Sequence, residues 1–343
     1  MKILRITTGG AAALVMAAVL GGLSCRKPSA VPVSADSGFY EVMGTFAHVI
    51  AVAPDEATAQ KALEEARDEL VRVDEMMSDY KSDSLLSQVN RRAAVEPVVV
   101  NEELFDLLQK SVEYSRRTDG TFDITVGPLV DLWKRVGKEN RRPTDEELEA
   151  ASRCVGFDKL ELEAADRTVR FAVEGMRLDL GGIAKGHAID RAVQRMRQVG
   201  AIGGLVDIGG DLRCFGTPSR GRAHWGIGLQ HPRQERALLL KLRLNDRAVA
   251  TSGDYRRFVV IDGQSHSHIV DPSRRDGVQG LTSVTILAPQ ALDADAMATA
   301  VSVMGPEKGL RWVETQEGIE AILVESDTGR VVYSSGARQF VMP

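Results

Sequence analysis

A lysine set among glycines is the most chemically telling feature of this chain. The segment DLGGIAKGHAID, Asp179 to Asp190, places Lys185 beside Gly181, Gly182 and Gly186. Glycines allow a backbone to approach a ligand closely, and the ammonium adds positive charge. From Ile183 onward, apolar residues recur at Ile189, Ala192, Val193, Met196 and Val199 before Gly200, which predicts a helix with the glycines at its start. Such a helix N-terminus suits a polyanion, for instance a pyrophosphate. A tight strand-to-helix turn without ligand is open to the same residues. The segment lacks the GKS or GKT ending of a Walker loop and does not read GxGxxG.

A second constellation lies in LDADAMATAVSVMG, where Ala296, Met297, Ala300, Val301 and Met304 fall at helical spacing before Gly305. Asp295 and Thr299 are four apart, so both side chains share one helix face. A carboxylate and a hydroxyl so placed can ligate a hard cation such as Mg²⁺, or stay solvated and bonded to their own helix. In HIVDP, His268 lies three residues before Asp271 and precedes a strand-ending Pro272; it offers a general base with a near-neutral pKa, and a structural histidine is equally open to it. His266 would point the same way on a strand. Tyr80, directly after a predicted helix, can stack on a planar ligand, and Met43 in MGT can cap a ring face. Asp123 stands between apolar neighbours in TFDITVGPLV, and Tyr80, Met43 and Asp123, each read alone, belong more often to a core than to a site.

The elements that must position these groups can be read in outline. FYEVMGTFAHVIAVA predicts a first strand or strand pair from Phe39, and Ala59, Ala62, Leu63, Ala66, Leu70, Val73 and Met77 give a helix ending near Ser78. A second helix runs from Asn101 to about Asp119 and Gly120. After the helix at 186–199 come short strands in GGLVDIGGDLRCFG, HWGIGLQ, ALLLKLRL, RRFVVIDG, HSHIVDP and LTSVTILA, and AILVESDTGRVVYSSG predicts a final hairpin. Helices and strands interleave without a βαβ repeat, so the expected fold is α+β: one large domain of mixed or antiparallel sheet packed with helices.

The 343 residues carry a net charge of −5, with no basic block, which argues against nucleic-acid binding. Lys2 and Arg5, the apolar run Ala11 to Leu20 and then GGLSC read as a bacterial lipoprotein signal. Cleavage would remove residues 1–24, leave Cys25 to carry lipid and take the net charge to −7. Plain secretion or a retained anchor are the alternatives. Residues 25–38 read as a flexible tether and 39–343 as the folded body. No later stretch has 18 consecutive apolar residues, so nothing else is expected to span a bilayer. Cys154 and Cys214 are left to pair or stay free.

The ordered series MGT, MSDY, TFDITVGPLV, DLGGIAKG, IGGDL, ATSGDY, HIVDP and DADAMAT closely resembles the ApbE family, periplasmic FAD:protein FMN transferases, from about Met43 to Gly336. The resemblance implies an FAD held by Met43, Tyr80, Thr121, Phe122, Asp123, Gly181, His187 and Ile269, with Lys185 toward phosphate. It implies Mg²⁺ on the Ala184 carbonyl, Asp295 and Thr299. The implied reaction transfers FMN from FAD to a Thr or Ser hydroxyl of an acceptor flavoprotein, such as a subunit of a membrane redox complex, with release of AMP and His268 as base. Ile124 stands where the family often has Pro, and His187 where an aromatic is common. An FAD pyrophosphatase or a non-catalytic flavin-binding lipoprotein would use the same residues differently.

Overall fold

Helix α1, Glu56–Met77, shows how directly local chemistry sets the elements. Asp55 caps it by accepting the Thr58 N–H at 2.8 Å, and its stripe of Ala59, Ala62, Leu63, Ala66, Leu70 and Val73 is buried. The computed structural model describes residues 31–218, 221–234, 236–253, 258–261 and 263–343. Within them α2 is Leu85–Arg92, α3 Glu102–Arg117, α4 Gly127–Lys138, α5 Asp145–Arg153, α6 Ala184–Gln198, α7 Ala291–Met304 and α8 Pro306–Val313. Asn101 caps α3, which stops where Asp119 and Gly120 take positive φ. None of the described helices is long and apolar enough to cross a membrane.

The main sheet has eight strands: β1 Val33–Val42, β2 Thr45–Ala53, β3 Gly203–Ile208, β4 Asp211–Phe215, β5 Arg247–Gly253, β6 Leu281–Ala288, β7 Glu320–Glu325 and β8 Val331–Tyr333. Their spatial order is their chain order, and every neighbouring pair is antiparallel. The helices are therefore excursions from a meander, which bears out the α+β expectation.

The alternation of β2 decides what covers each face. Ala47, Val49, Ala51 and Ala53 join the core beneath α1, α6 and α7, while Val52 turns to a second cluster with Leu205, Leu212, Cys214, Trp225 and Leu242. That second face is covered by a hairpin of Trp225–Gln230 with Leu238–Leu244. All of β6 is buried, because both faces are covered at mid-sheet. Helix α7 is buried on most sides and rich in alanine, so neighbours approach it closely.

Some expectations change. Strand β1 begins at Val33, so residues 33–38 belong to the sheet and not to a tether; a bulge between Asp36 and Phe39, with Gly38 at positive φ, breaks the alternation that would have shown it. The signal, Cys25 and the first part of the tether lie outside the described residues. Helices α2, α4, α5 and α8 were not expected. Cys154 and Cys214 are both free.

A buried carboxylate fastens α6 to α1. Glu69 accepts hydrogen bonds from Arg72 and Arg191 and pairs with Arg195. Burial opposes its ionisation, yet the arginines hold its carboxyl down at about 2 against an ordinary 4.5. A depressed carboxyl stabilises the fold above its unfolded pKa and loses that contribution as pH falls through the folded one. Glu69→Gln is therefore expected to cost ~3 kcal/mol at pH 7, with the gap from the parent closing between pH 5 and 2 in urea melts. A pH-independent gap would contradict this account.

Candidate functional site

The glycine turn and α7 meet at distances that only glycine permits. A Cβ on Gly186 would lie 2.3 Å from the Ala291 carbonyl oxygen, and one on Gly182 would lie 2.8 Å from Thr299 Oγ1. Asp179 shapes the turn, accepting the Gly181 N–H at 2.7 Å while its own N–H donates to the Ile124 carbonyl at 2.7 Å. These contacts join TFDIT, DLGG and DAMAT, which are far apart in sequence.

Charge completes the junction. Lys185 pairs with Asp211 of β4 and, at 3.3 Å, with Asp295 of α7. Asp295 Oδ2 also accepts the Gly186 N–H at 2.9 Å, and Asp211 Oδ1 accepts the Thr251 N–H at 2.8 Å. Both carboxylates are buried, at 3% and 5% exposure, so the ammonium between them offsets part of their desolvation. Burial pushes the Asp295 carboxyl up to about 6 against the pull of Lys185. Burial alone would lower the Lys185 pKa, but Asp211 and Asp295 raise it above the ordinary lysine range.

Asp211 was not singled out from sequence, although IGGDL contains it, since an aspartate after two glycines reads as turn punctuation. It also connects the site to the first hairpin: Gly209 lies against the Thr45 side chain, and its N–H donates to the Phe46 carbonyl at 2.8 Å. Between Val42 and Thr45, Met43 and Gly44 form a two-residue turn with φ of 52° and 67°. Both angles are positive, as in a type I′ turn, where Asn-Gly is usual. A methionine there is a backbone outlier that places a soft side chain, partly packed on the core, at the end of the sheet.

The remaining expected residues fall into two groups. Tyr80 is 81% exposed, with the Lys134 ammonium 5.9 Å from its ring centre, and its segment is pinned by Arg177, which pairs with Asp79 and Asp131 at 2.9 Å each. Thr121 donates to the Thr118 carbonyl at 2.8 Å, and Phe122 is buried edge-on to Tyr114. Asp123 is buried and serves the fold: it accepts from Thr125 N–H and Oγ1 and from the Phe157 N–H. Burial pushes its carboxyl upward.

His187 stands apart from Lys185. Two residues along a helix turn the side chain by roughly 200°, and His187 Nε2 lies 2.8 Å from Glu103 Oε1. It lines a cleft of about 610 Å³ with Asn101, Glu103, Lys110, Arg191 and Leu292. His268 is exposed just past the strand Gln264–Ser267, with Ile269 half-buried beside it. His266 is buried instead, stacked on Trp133 with ring centres 4.9 Å apart. Asp271 directs Oδ1 to the Ser273 and Arg274 N–H groups and so shapes the next turn. Part of ATSGDY lies outside the described residues.

Among the described residues no three His, Cys, Asp or Glu side chains converge on a metal position. The expected cation ligands are one carboxylate, one hydroxyl and one carbonyl, a set with few protein charges that leaves places for phosphate and water, as Mg²⁺ favours. The contact of Gly182 with Thr299 and of Gly186 with Asp295 brings the Ala184 turn and both side chains to one junction.

The fold and this junction define an antiparallel α+β protein with a charged, glycine-lined seam where α6 meets α7. The ApbE family model matches residues 43–323, and the chain belongs to the ApbE family. It is 34% identical over 290 residues to an FAD:protein FMN transferase of Haemophilus influenzae, covering 82% of this chain and 83% of that protein. It is also 34% identical to the Treponema pallidum protein of the same name over 298 residues, covering 82% and 81%. The crystal structure of the ApbE protein from Thermotoga maritima superposes with a TM-score of 0.82 at 31% identity, over 91% of this chain and all of that one. Flavin transferase ApbE from Vibrio cholerae gives 0.77 at 30%, over 90% and 99%.

Gly186→Ala is expected to force α6 and α7 apart, because the new methyl meets backbone and not a movable side chain. The cost should be about 1–3 kcal/mol in denaturant melts. A variant as stable as the parent would contradict the close packing.

Proposed function

We propose that the chain is a flavin transferase that moves FMN from FAD to an acceptor protein. The observation that carries this reading is the junction of the glycine turn with α7, where Lys185, Asp211, Asp295 and Thr299 surround the start of α6. The exposed ring of Tyr80 and the side chain of Met43 would hold the isoalloxazine, a role for which a solvated aromatic is suited. Thr121, Phe122, Gly181 and Ile269 would complete the flavin and phosphate contacts. Asp123, with its carboxylate committed to Thr125 and Phe157, would act through backbone shape.

In this reading the acceptor Thr or Ser oxygen attacks the FMN-side phosphorus, the bond to the bridging oxygen breaks, and AMP leaves. The hydroxyl proton passes to His268, whose exposure at a strand end leaves it reachable by a macromolecular acceptor. Lys185 stays protonated between its carboxylates and offers fixed positive charge near the pyrophosphate. Mg²⁺, held by the Ala184 carbonyl, Asp295 and Thr299, would supply Lewis-acid stabilisation of charge on the transferring phosphoryl group. Positioning, more than covalent chemistry, is what this chain's residues contribute.

We further propose that Cys25 carries lipid and places the enzyme on the periplasmic side of a membrane, with membrane redox subunits as acceptors. The support is the leader sequence and its small residues before a lone cysteine.

Incubation with FAD and Mg²⁺, with and without an acceptor, tests the reaction. Acceptor-dependent AMP release with in-gel flavin fluorescence is expected; rapid AMP release without acceptor would favour an FAD pyrophosphatase, and none at all a flavin carrier. Asp295→Ala should abolish turnover, and full activity in that variant would refute the cation assignment. Tyr80→Ala should raise KM for FAD about tenfold with a smaller change in kcat, as expected from loss of a stacking contact.

A further inference from the structure

Asp190 closes the DLGGIAKGHAID segment and has no part in the site described so far. Its carboxylate reaches out of α6: Oδ1 accepts the Ala291 N–H at 3.0 Å and Oδ2 the Leu292 N–H at 2.9 Å. These are the first two N–H groups of α7, which no carbonyl of their own helix can satisfy. Gln290, in the ordinary capping position, makes no side-chain cap. The cap of α7 therefore comes from another helix.

The exchange is reciprocal. Asp295 of α7 accepts the Gly186 N–H in the first turn of α6. Each helix start is closed by a carboxylate from the other, and each carboxylate favours the positive end of the dipole that it meets.

A charged residue of β4 braces each carboxylate or its partner. Arg213 Nη1 donates to Asp190 Oδ1 at 2.6 Å, two residues along the strand from Asp211, which pairs with Lys185. Arg213 Nε is buried without a hydrogen-bond partner, so the guanidinium is held by this ion pair at the cost of an unpaired donor. Two rails thus run from β4 through α6 to α7, one through Asp211, Lys185 and Asp295, the other through Arg213 and Asp190 to the start of α7. Anchors at 291–292 and at 295 fix both the height and the rotation of α7, which a single contact would not. Thr299, one turn further, is thereby set against Gly182.

We infer that Asp190, braced by Arg213, is a positioning residue of the cation site, setting where Asp295 and Thr299 stand relative to Ala184. The inference rests on the cation site proposed above. The test uses the purified full chain with Mn²⁺ as the probe: Mn²⁺ affinity by electron paramagnetic resonance with FAD present, FAD affinity without metal by fluorescence quenching, and Tm. Asp190→Asn keeps the size but only one acceptor oxygen, and should weaken Mn²⁺ binding about tenfold, as loss of an outer-shell partner does. Metal-free FAD affinity should change less than twofold, and kcat should recover as Mg²⁺ is raised. Arg213→Gln should shift Mn²⁺ binding in the same direction, and carries the comparison if Asp190→Asn fails to fold.

A lowered Tm with unchanged Mn²⁺ affinity would reduce Asp190 to an ordinary helix cap and overturn the inference. Equal weakening of metal-free FAD binding would overturn it too. Asp295→Ala, measured alongside, separates the two claims: loss of Mn²⁺ binding there with none in Asp190→Asn sinks only the positioning role. Parent-like Mn²⁺ binding in Asp295→Ala sinks the cation site and this inference with it.

Discussion

The structure depends on an ammonium held between two buried carboxylates. Asp211 and Asp295 lie in the interior, where an isolated carboxylate is costly, and Lys185 with the Thr251 and Gly186 N–H groups makes their burial tolerable. The partners come from β4, α6, β5 and α7, so one electrostatic cluster fixes four elements that the chain supplies far apart. Two carboxylates and one ammonium leave a residual negative charge. A divalent cation can offset it and, in the proposed reaction, present a face that a pyrophosphate can approach.

The site divides by polarity. In the proposed complex the seam of glycines and charges would take the phosphates, while the other end of the ligand would meet Tyr80, open to solvent, and Met43, held in a turn that suits Asn far better. Backbone strain at Met43 is tolerated because β1 and β2 pair directly beside it, from Val42 and Thr45 outward. The sheet supplies rigidity and the turns supply contacts.

Much of this was legible in the sequence where periodicity is long. Helices α1, α3, α6 and α7 and the final hairpin carry repeats or caps that announce them, and Asp295 with Thr299 could be paired by spacing alone. Short helices were not legible: α4 hides in the apolar run GPLVDLW, and α2 and α8 have eight residues each. Helix α5 carried a readable signal, the capping box of Thr144 and Glu147. Asp190 and Asp211 were illegible as site residues because their partners lie tens of residues away. His187 shows the converse: nearness in sequence to Lys185 does not survive the turn of the helix, which gives it to Glu103.

The most direct measurement is a crystal structure of the chain soaked with FAD and Mn²⁺, read by anomalous scattering. The account predicts an anomalous peak at coordination distance from the Ala184 carbonyl, Asp295 and Thr299 oxygens, touching the FAD pyrophosphate. Bound FAD with the peak elsewhere, or with none, would contradict it.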